Sequence, residues 1–158
     1  MKPLVLALMT SLGLVACQKK TVEPARPADL EAAFGQEVKL HYEQQVRLPS
    51  AAQPLLTVRM TALDYAYCPA GANCFVPNFA WPTLRITDAR GQEQDIRLPL
   101  HAEAAQRLNL LDTTSVVAAG HRYAVVYSRW ELERALNGSE MPVKADFGLW
   151  LRLTEVRP

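Results

Sequence analysis

The side chains able to do chemistry in this chain are few and scattered. His41, His101 and His121 lie far apart, with none of the short spacings of a zinc site. Ser50, Ser115, Ser128 and Ser139 stand outside any Gly-x-Ser-x-Gly or adjacent His/Asp pattern. The chain also lacks a His-Glu-x-x-His stretch and a phosphate-cradling glycine loop. Glu131, Glu133 and Glu140 form an acidic run interleaved with Arg129 and Arg134, which reads as a salt-bridged surface rather than paired catalytic carboxylates. A site formed only by folding would have to bring His41 and Glu43 to His101 or His121 across strands; a lone strand histidine is more often a solvated surface group. That leaves sulfur. Cys68 and Cys74 flank Pro69-Ala70-Gly71-Ala72-Asn73, whose proline and glycine suit a tight reversal. Such a pair can close a short disulfide loop or offer two thiolates to a metal.

The start of the chain bears on that choice. Met1-Lys2 supplies one positive charge, and an apolar run follows from Leu4 to Ala16. The run is too short to cross a roughly 30 Å hydrocarbon layer as a helix, so it reads as a cleaved signal segment. At its end Leu14-Val15-Ala16-Cys17 resembles a bacterial lipobox, the motif after which lipoprotein signal peptidase cuts and at which the new N-terminal cysteine is acylated. The resemblance implies lipidation at Cys17 and a membrane anchor made of acyl chains rather than a transmembrane helix. Gln18 stands where inner-membrane-retained lipoproteins usually carry Asp, which implies the outer membrane, facing the periplasm or the cell surface. The plain alternative is a secretory signal with an incidental cysteine. Either way export places Cys68 and Cys74 in an oxidising compartment, where a disulfide is the default. A metal would need ligands that the dispersed histidines do not offer, so neither metal nor cofactor is expected.

Charge adds an exclusion. Seventeen Lys and Arg stand against sixteen Asp and Glu, and loss of Lys2 with the leader leaves the two equal. A neutral chain has no electrostatic reason to seek nucleic acid or anionic lipid.

The elements that must position these residues are strands. Val38, Leu40 and Tyr42 alternate with polar residues, as do Leu56, Val58 and Met60, Leu84 and Ile86, and Ile96, Leu98 and Leu100. Tyr123 to Tyr127 is β-rich throughout and reads as buried on both faces, while Phe147, Leu149, Leu151 and Leu153 alternate again. Ala89-Arg90-Gly91, Ala119-Gly120 and Asn137-Gly138 punctuate the segments. The pattern predicts an all-β domain, a small antiparallel sandwich or open barrel, with room for one or two short helical turns. Ala102 to Leu111 has helix-forming composition. Ser128-Arg129-Trp130-Glu131 matches a capping box that would open a short helix closed by Asn137-Gly138. Loop or continued strand is the alternative for both. Asp29 to Phe34 could make one helical turn closed by Gly35. The division expected is therefore a signal peptide over 1–16, a lipidated cysteine and proline-stiffened tether over 17–34, and a β-domain over 35–158.

Five of the twelve aromatics, Tyr65, Tyr67, Phe75, Phe79 and Trp81, straddle the cysteine pair. Here the chain resembles a group of uncharacterised bacterial envelope proteins. In these, a strand ends in an Asp-Ser-Arg-Cys-Pro-like stretch, and after four more residues a second cysteine leads through Val-Trp-Ala-Gly into the next strand. Cys68-Pro69 and Cys74 fit in identity and spacing, the flanking segments Thr57 to Asp64 and Trp81 to Thr87 fall in place, and Gly120-His121-Arg122-Tyr123 resembles the group's Gly-x-x-Tyr strand start. Tyr65-Ala66-Tyr67 and Phe75-Val76-Pro77-Asn78 depart from it, so a role resting on a charged Asp/Arg loop does not carry over. The resemblance implies a fold and no activity.

The aromatics have two readings: packing over the disulfide to plug one end of the domain, or an exposed platform on a preorganised loop that contacts an envelope protein, peptide or glycan. The functional expectation is a non-enzymatic binding or assembly module. The alternatives are an envelope hydrolase or ligand-processing protein, and a purely structural lipoprotein.

Overall fold

The computed structural model describes residues 27–99 and 113–156. Among these residues lie nine strands: β1 (Leu30–Glu31), β2 (Glu37–His41), β3 (Gln45–Leu48), β4 (Leu56–Ala66), β5 (Phe79–Asp88), β6 (Glu93–Arg97), β7 (Thr113–Ala118), β8 (His121–Leu132) and β9 (Phe147–Val156), and the alternations read above at Leu56-Val58-Met60, Leu84-Ile86 and Phe147 to Leu153 fall in β4, β5 and β9. They form two sheets, in the orders β1-β3-β4-β5-β6 and β2-β9-β8-β7. All pairings are antiparallel except β1 with β3, and the sheets do not close into a barrel. The fold is thus the sandwich alternative of the expected all-β class.

Period-two burial builds the core. Leu56, Val58 and Met60 of β4 and Leu84 and Ile86 of β5 face Val125 and Tyr127 of β8 and Leu149, Leu151 and Leu153 of β9, all buried. Bonds also run between the sheets. The Tyr127 hydroxyl, itself buried, donates to the Ala80 carbonyl at 2.6 Å. Asp88 accepts from Arg90 and Gln92 in its own turn and, at 3.0 Å, from the Ala119 N–H of the β7–β8 turn. That carboxylate holds the turns of opposite sheets together, and the backbone N–H groups, Gln92 foremost, lower its pKa.

Two β-bulges reset this alternation at one end of the sandwich. The β4–β5 register shifts between Met60 and Ala62, and the β8–β9 register between Tyr127 and Arg129. An extra residue reverses which side chains face inward. Beyond the first bulge Leu63 and Tyr65 turn to the core; beyond the second Trp130 and Leu132 do. Their rings converge on Phe147, at 4.7 Å for Tyr65 and 5.7 Å for Trp130.

Several local expectations are corrected. Ser128 to Leu132 continues β8 and opens no helix, because the bulge presents Trp130 and Leu132 to Phe147 and strand pairing runs on to Leu132↔Phe147. The helical turn lies instead at Lys144–Asp146, a single 3-10 turn. Asp29 to Phe34 is not helical: Leu30–Glu31 adds a parallel strand beside β3, Ala32 is buried and Phe34 stacks on Tyr123 at 5.3 Å. Packing against the sandwich therefore starts before residue 35, the start expected for the β-domain. Tyr123 to Tyr127 is buried on one face and half-buried on the other. The signal segment, Cys17, Gln18, His101 and the Ala102–Leu111 stretch lie outside the described residues.

Pairing also fixes how the chain enters. Leu30 lies opposite Val46, and Gln45 opposite Arg59, so the chain preceding Leu30 heads toward the Ala66 end of β4. Gln44 Nε2 donates to the Ala28 carbonyl at 2.5 Å, and Arg47 and Gln45 both hold Asp29. The incoming segment and the β4–β5 connection thus share one end of the molecule.

Candidate functional site

That end carries the cysteines. β4 and β5 pair up to Ala66↔Phe79, and the residues between them form a projecting loop. Cys68 and Cys74 are joined by a disulfide with Cα atoms 5.9 Å apart. Ala72 N–H donates to the Pro69 carbonyl at 3.1 Å, and Gly71 supplies the positive φ of 82° that the reversal needs. At the neck the Cys68 N–H donates to Asn78 Oδ1 at 2.6 Å. A covalent bond and a side-chain latch therefore set the loop's conformation, and Asn78 is a residue that sequence reasoning gave no role, naming it only in the Phe75-Val76-Pro77-Asn78 departure. Its signal was present, since Asn side chains routinely close turns through backbone N–H groups.

The five aromatics divide among three surroundings. Tyr65 faces the core, half-buried on Phe147, with its hydroxyl donating to the Pro142 carbonyl at 2.8 Å. Tyr67 is half-buried at the loop base. Phe79 and Trp81 lie on the outer face of β5, stacked at 4.0 Å, with Arg97 5.8 Å over the Trp81 ring and bonded to Asp64 at 2.7 Å. Phe75 alone projects free, with a relative exposure of 107%, and Val76 beside it is 48% exposed. Tyr65 thus follows the packing reading and Phe75 the platform reading.

No charged residue occurs from Tyr65 to Leu84, so the hairpin is uncharged from neck to tip. An open concavity of about 450 Å³ lies against the loop, bounded by Cys68, Cys74, Phe75, Pro77 and Asn78 among others. With both cysteines in the disulfide, its lining carries no group that titrates. Such a surface can exclude water from an apolar contact but cannot move a proton.

The titratable residues are placed elsewhere. On the outer face of the β2-β9-β8-β7 sheet, Lys39 bridges Glu131 at 3.0 Å and Glu133 at 2.9 Å, while His41 Nε2 lies 3.2 Å from Glu133. Lys39 holds the Glu133 carboxyl below its ordinary range. These side chains cross Gly148, where a Cβ would collide with the Glu133 carboxylate and sit 2.8 Å from Lys39 Cδ. Arg134 is bonded to Asp146 at 2.8 Å and to Glu140 at 2.7 Å, and lowers the Asp146 pKa. The acidic run is therefore salt-bridged as expected, although Arg129 takes no part and lies 4.1 Å over the Trp150 ring.

His121 pairs with Glu155 at 2.8 Å, near the far end of β9 from the Gly148 that faces His41. The two histidines do not meet. Ser128 donates to Glu37, Ser115 accepts from Arg122 and Ser50 from Gln53, and among the described residues none of the three is bonded to a histidine. Among the described residues no three His, Cys, Asp or Glu side chains are arranged to hold a metal ion.

Fold and site together define a class: an antiparallel-rich β-sandwich bearing one disulfide-pinned, uncharged hairpin beside the point where the chain comes in. No protein family, curated protein or solved structure matches the chain.

Proposed function

We propose that this protein is an outer-membrane lipoprotein, anchored through an acylated Cys17, whose sandwich serves as a non-enzymatic binding module and whose β4–β5 hairpin is the contact site. The observation that carries the reading is Phe75, a fully exposed aromatic at the tip of a loop fixed by a disulfide and by Asn78. An exposed ring has no role in the core, and a pinned loop loses less conformational entropy when it binds. The anchor half of the proposal rests on Leu14-Val15-Ala16-Cys17 at the end of a short apolar run.

Two measurements test it. Radiolabelled palmitate should enter the wild type and not Cys17→Ala; equal labelling of both removes the anchor. A photo-crosslinking amino acid at position 75 should give adducts in whole cells that the same group at position 90, on the opposite turn, does not give. Equal yields from the two positions remove the hairpin as the contact site.

A further inference from the structure

We infer that the surface met by the hairpin is the bilayer that holds Cys17, with Phe75 and Val76 seated at the boundary between headgroups and acyl chains. The inference rests on the lipoprotein reading above and names the partner of the same loop.

Direction, reach and chemistry agree. The chain leading back from Leu30 points toward the Ala66 end of β4, the end from which the hairpin projects. An anchor on that chain brings this end toward the membrane. The ten residues from Cys17 to Arg26 can span at most about 35 Å, against about 20 Å of strand from Met60, level with Gln44, to Ala66. Cys17 can therefore reach past the Ala66 end of β4, from which the hairpin projects, while the sandwich stays outside the bilayer.

The hairpin itself is built for an apolar interface. It has no charge between Tyr65 and Leu84 to desolvate, and its exposed large apolar side chains are Phe75 and Val76. Its loop backbone carries Pro69 and Pro77, which have no N–H, and spends others internally at Ala72 and Cys68. Fewer backbone donors are then left bare on leaving water. One exposed aromatic would bind a membrane only weakly alone, but tethering turns the contact into an intramolecular one at high effective concentration. A soluble protein partner would have to reach a tip that the anchor turns toward lipid.

The test uses full-length, acylated Phe75→Trp in vesicles of phosphatidylethanolamine and phosphatidylglycerol, with and without brominated acyl chains, beside the wild type and its three native tryptophans. A ring seated about 5–10 Å into the interface should lose roughly half its emission to the bromines, in excess of any loss in the wild type. Adding Val76→Asp to Phe75→Trp should abolish that excess without altering the circular dichroism spectrum. If the Cys17 peptide carries acyl mass and the Phe75→Trp protein shows no excess quenching, the bilayer contact is refuted and the lipoprotein stands. If the Cys17 peptide carries no acyl mass, both fall together. Adducts from position 75 that contain protein and no lipid would refute the bilayer contact and keep the hairpin as a contact site.

Discussion

Tyr65 and Phe75 lie ten residues apart in one uncharged hairpin, and truncating each to alanine should have opposite consequences. Phe75 has no partner to lose at 107% exposure, so Phe75→Ala should change stability by less than about 0.5 kcal/mol. Tyr65 stands to lose three things. Half-burial of its ring amounts to about 1.5 kcal/mol of apolar contact. Its tilted pair with Phe147, at 4.7 Å, adds about 0.5 kcal/mol. The hydrogen bond to the Pro142 carbonyl contributes about 1 kcal/mol. The sum is near 3 kcal/mol. Unfolding entropy of about 2.1 cal/mol/K per residue over a domain of about 130 residues makes each kcal/mol worth about 4 °C. Tyr65→Ala should therefore melt about 10 °C below the wild type, Tyr65→Phe about 4 °C below it, and Phe75→Ala within about 2 °C. Circular dichroism melts of the three variants decide the matter. A Phe75→Ala protein that melts as low as Tyr65→Ala would show that the tip packs against the fold, and the contact-site argument would fail.

Tyr127→Phe removes a buried inter-sheet hydrogen bond and leaves the Ala80 carbonyl short of a donor, so the guanidinium midpoint should fall by the equivalent of about 1–2 kcal/mol; an unchanged midpoint would mean the bond is offset elsewhere. Replacing Cys68 and Cys74 together by alanine should cost about 2 kcal/mol while preserving the far-ultraviolet spectrum, since a core of this size does not depend on one short loop; loss of the spectrum would contradict this. Asp88, Glu133 and Asp146 all have folded pKa values held below their ordinary 3.8, 4.5 and 3.8, so their contribution is complete above those values and disappears as pH falls through the lower folded ones. Urea midpoints should accordingly drop between about pH 5 and pH 3, and less steeply in Asp88→Asn; a flat profile would refute the assignment.

The sheet-forming alternation was legible because burial on one face imposes period two directly on the residue types, as at Leu56-Val58-Met60 and Leu149-Leu151-Leu153. The failures cluster where that period breaks. Ser128 to Glu131 carries the local chemistry of a helix start, yet the bulge after Tyr127 makes Trp130 and Leu132 more valuable as core residues in a strand. The same argument covers Leu30–Glu31, whose pairing with β3 is parallel and nonlocal and so leaves no short-range mark. For the candidate site, the disulfide loop was readable from the short cysteine spacing and the expectation of export, but which aromatic is free was not. Tyr65 and Phe75 are both aromatics flanking the cysteine pair, and the bulge upstream of Tyr65 decides that it faces Phe147.

The two bulges also constrain how this sequence can vary. Each inserts one position into an otherwise strict alternation, so it acts as a frame marker for every side chain between itself and the loop end. Deleting Thr61 would remove the bulge and leave Leu63 and Tyr65 inside with Asp64 outside, whereas straightening β4 with all its residues kept would turn Asp64 inward and Leu63 and Tyr65 outward. A deletion between the bulge and the loop would likewise reverse every side chain from there to the loop. Divergent versions of this domain should therefore lose a residue in β4 or β8 at the bulge itself, where the inward set survives. Other length changes belong to the loops.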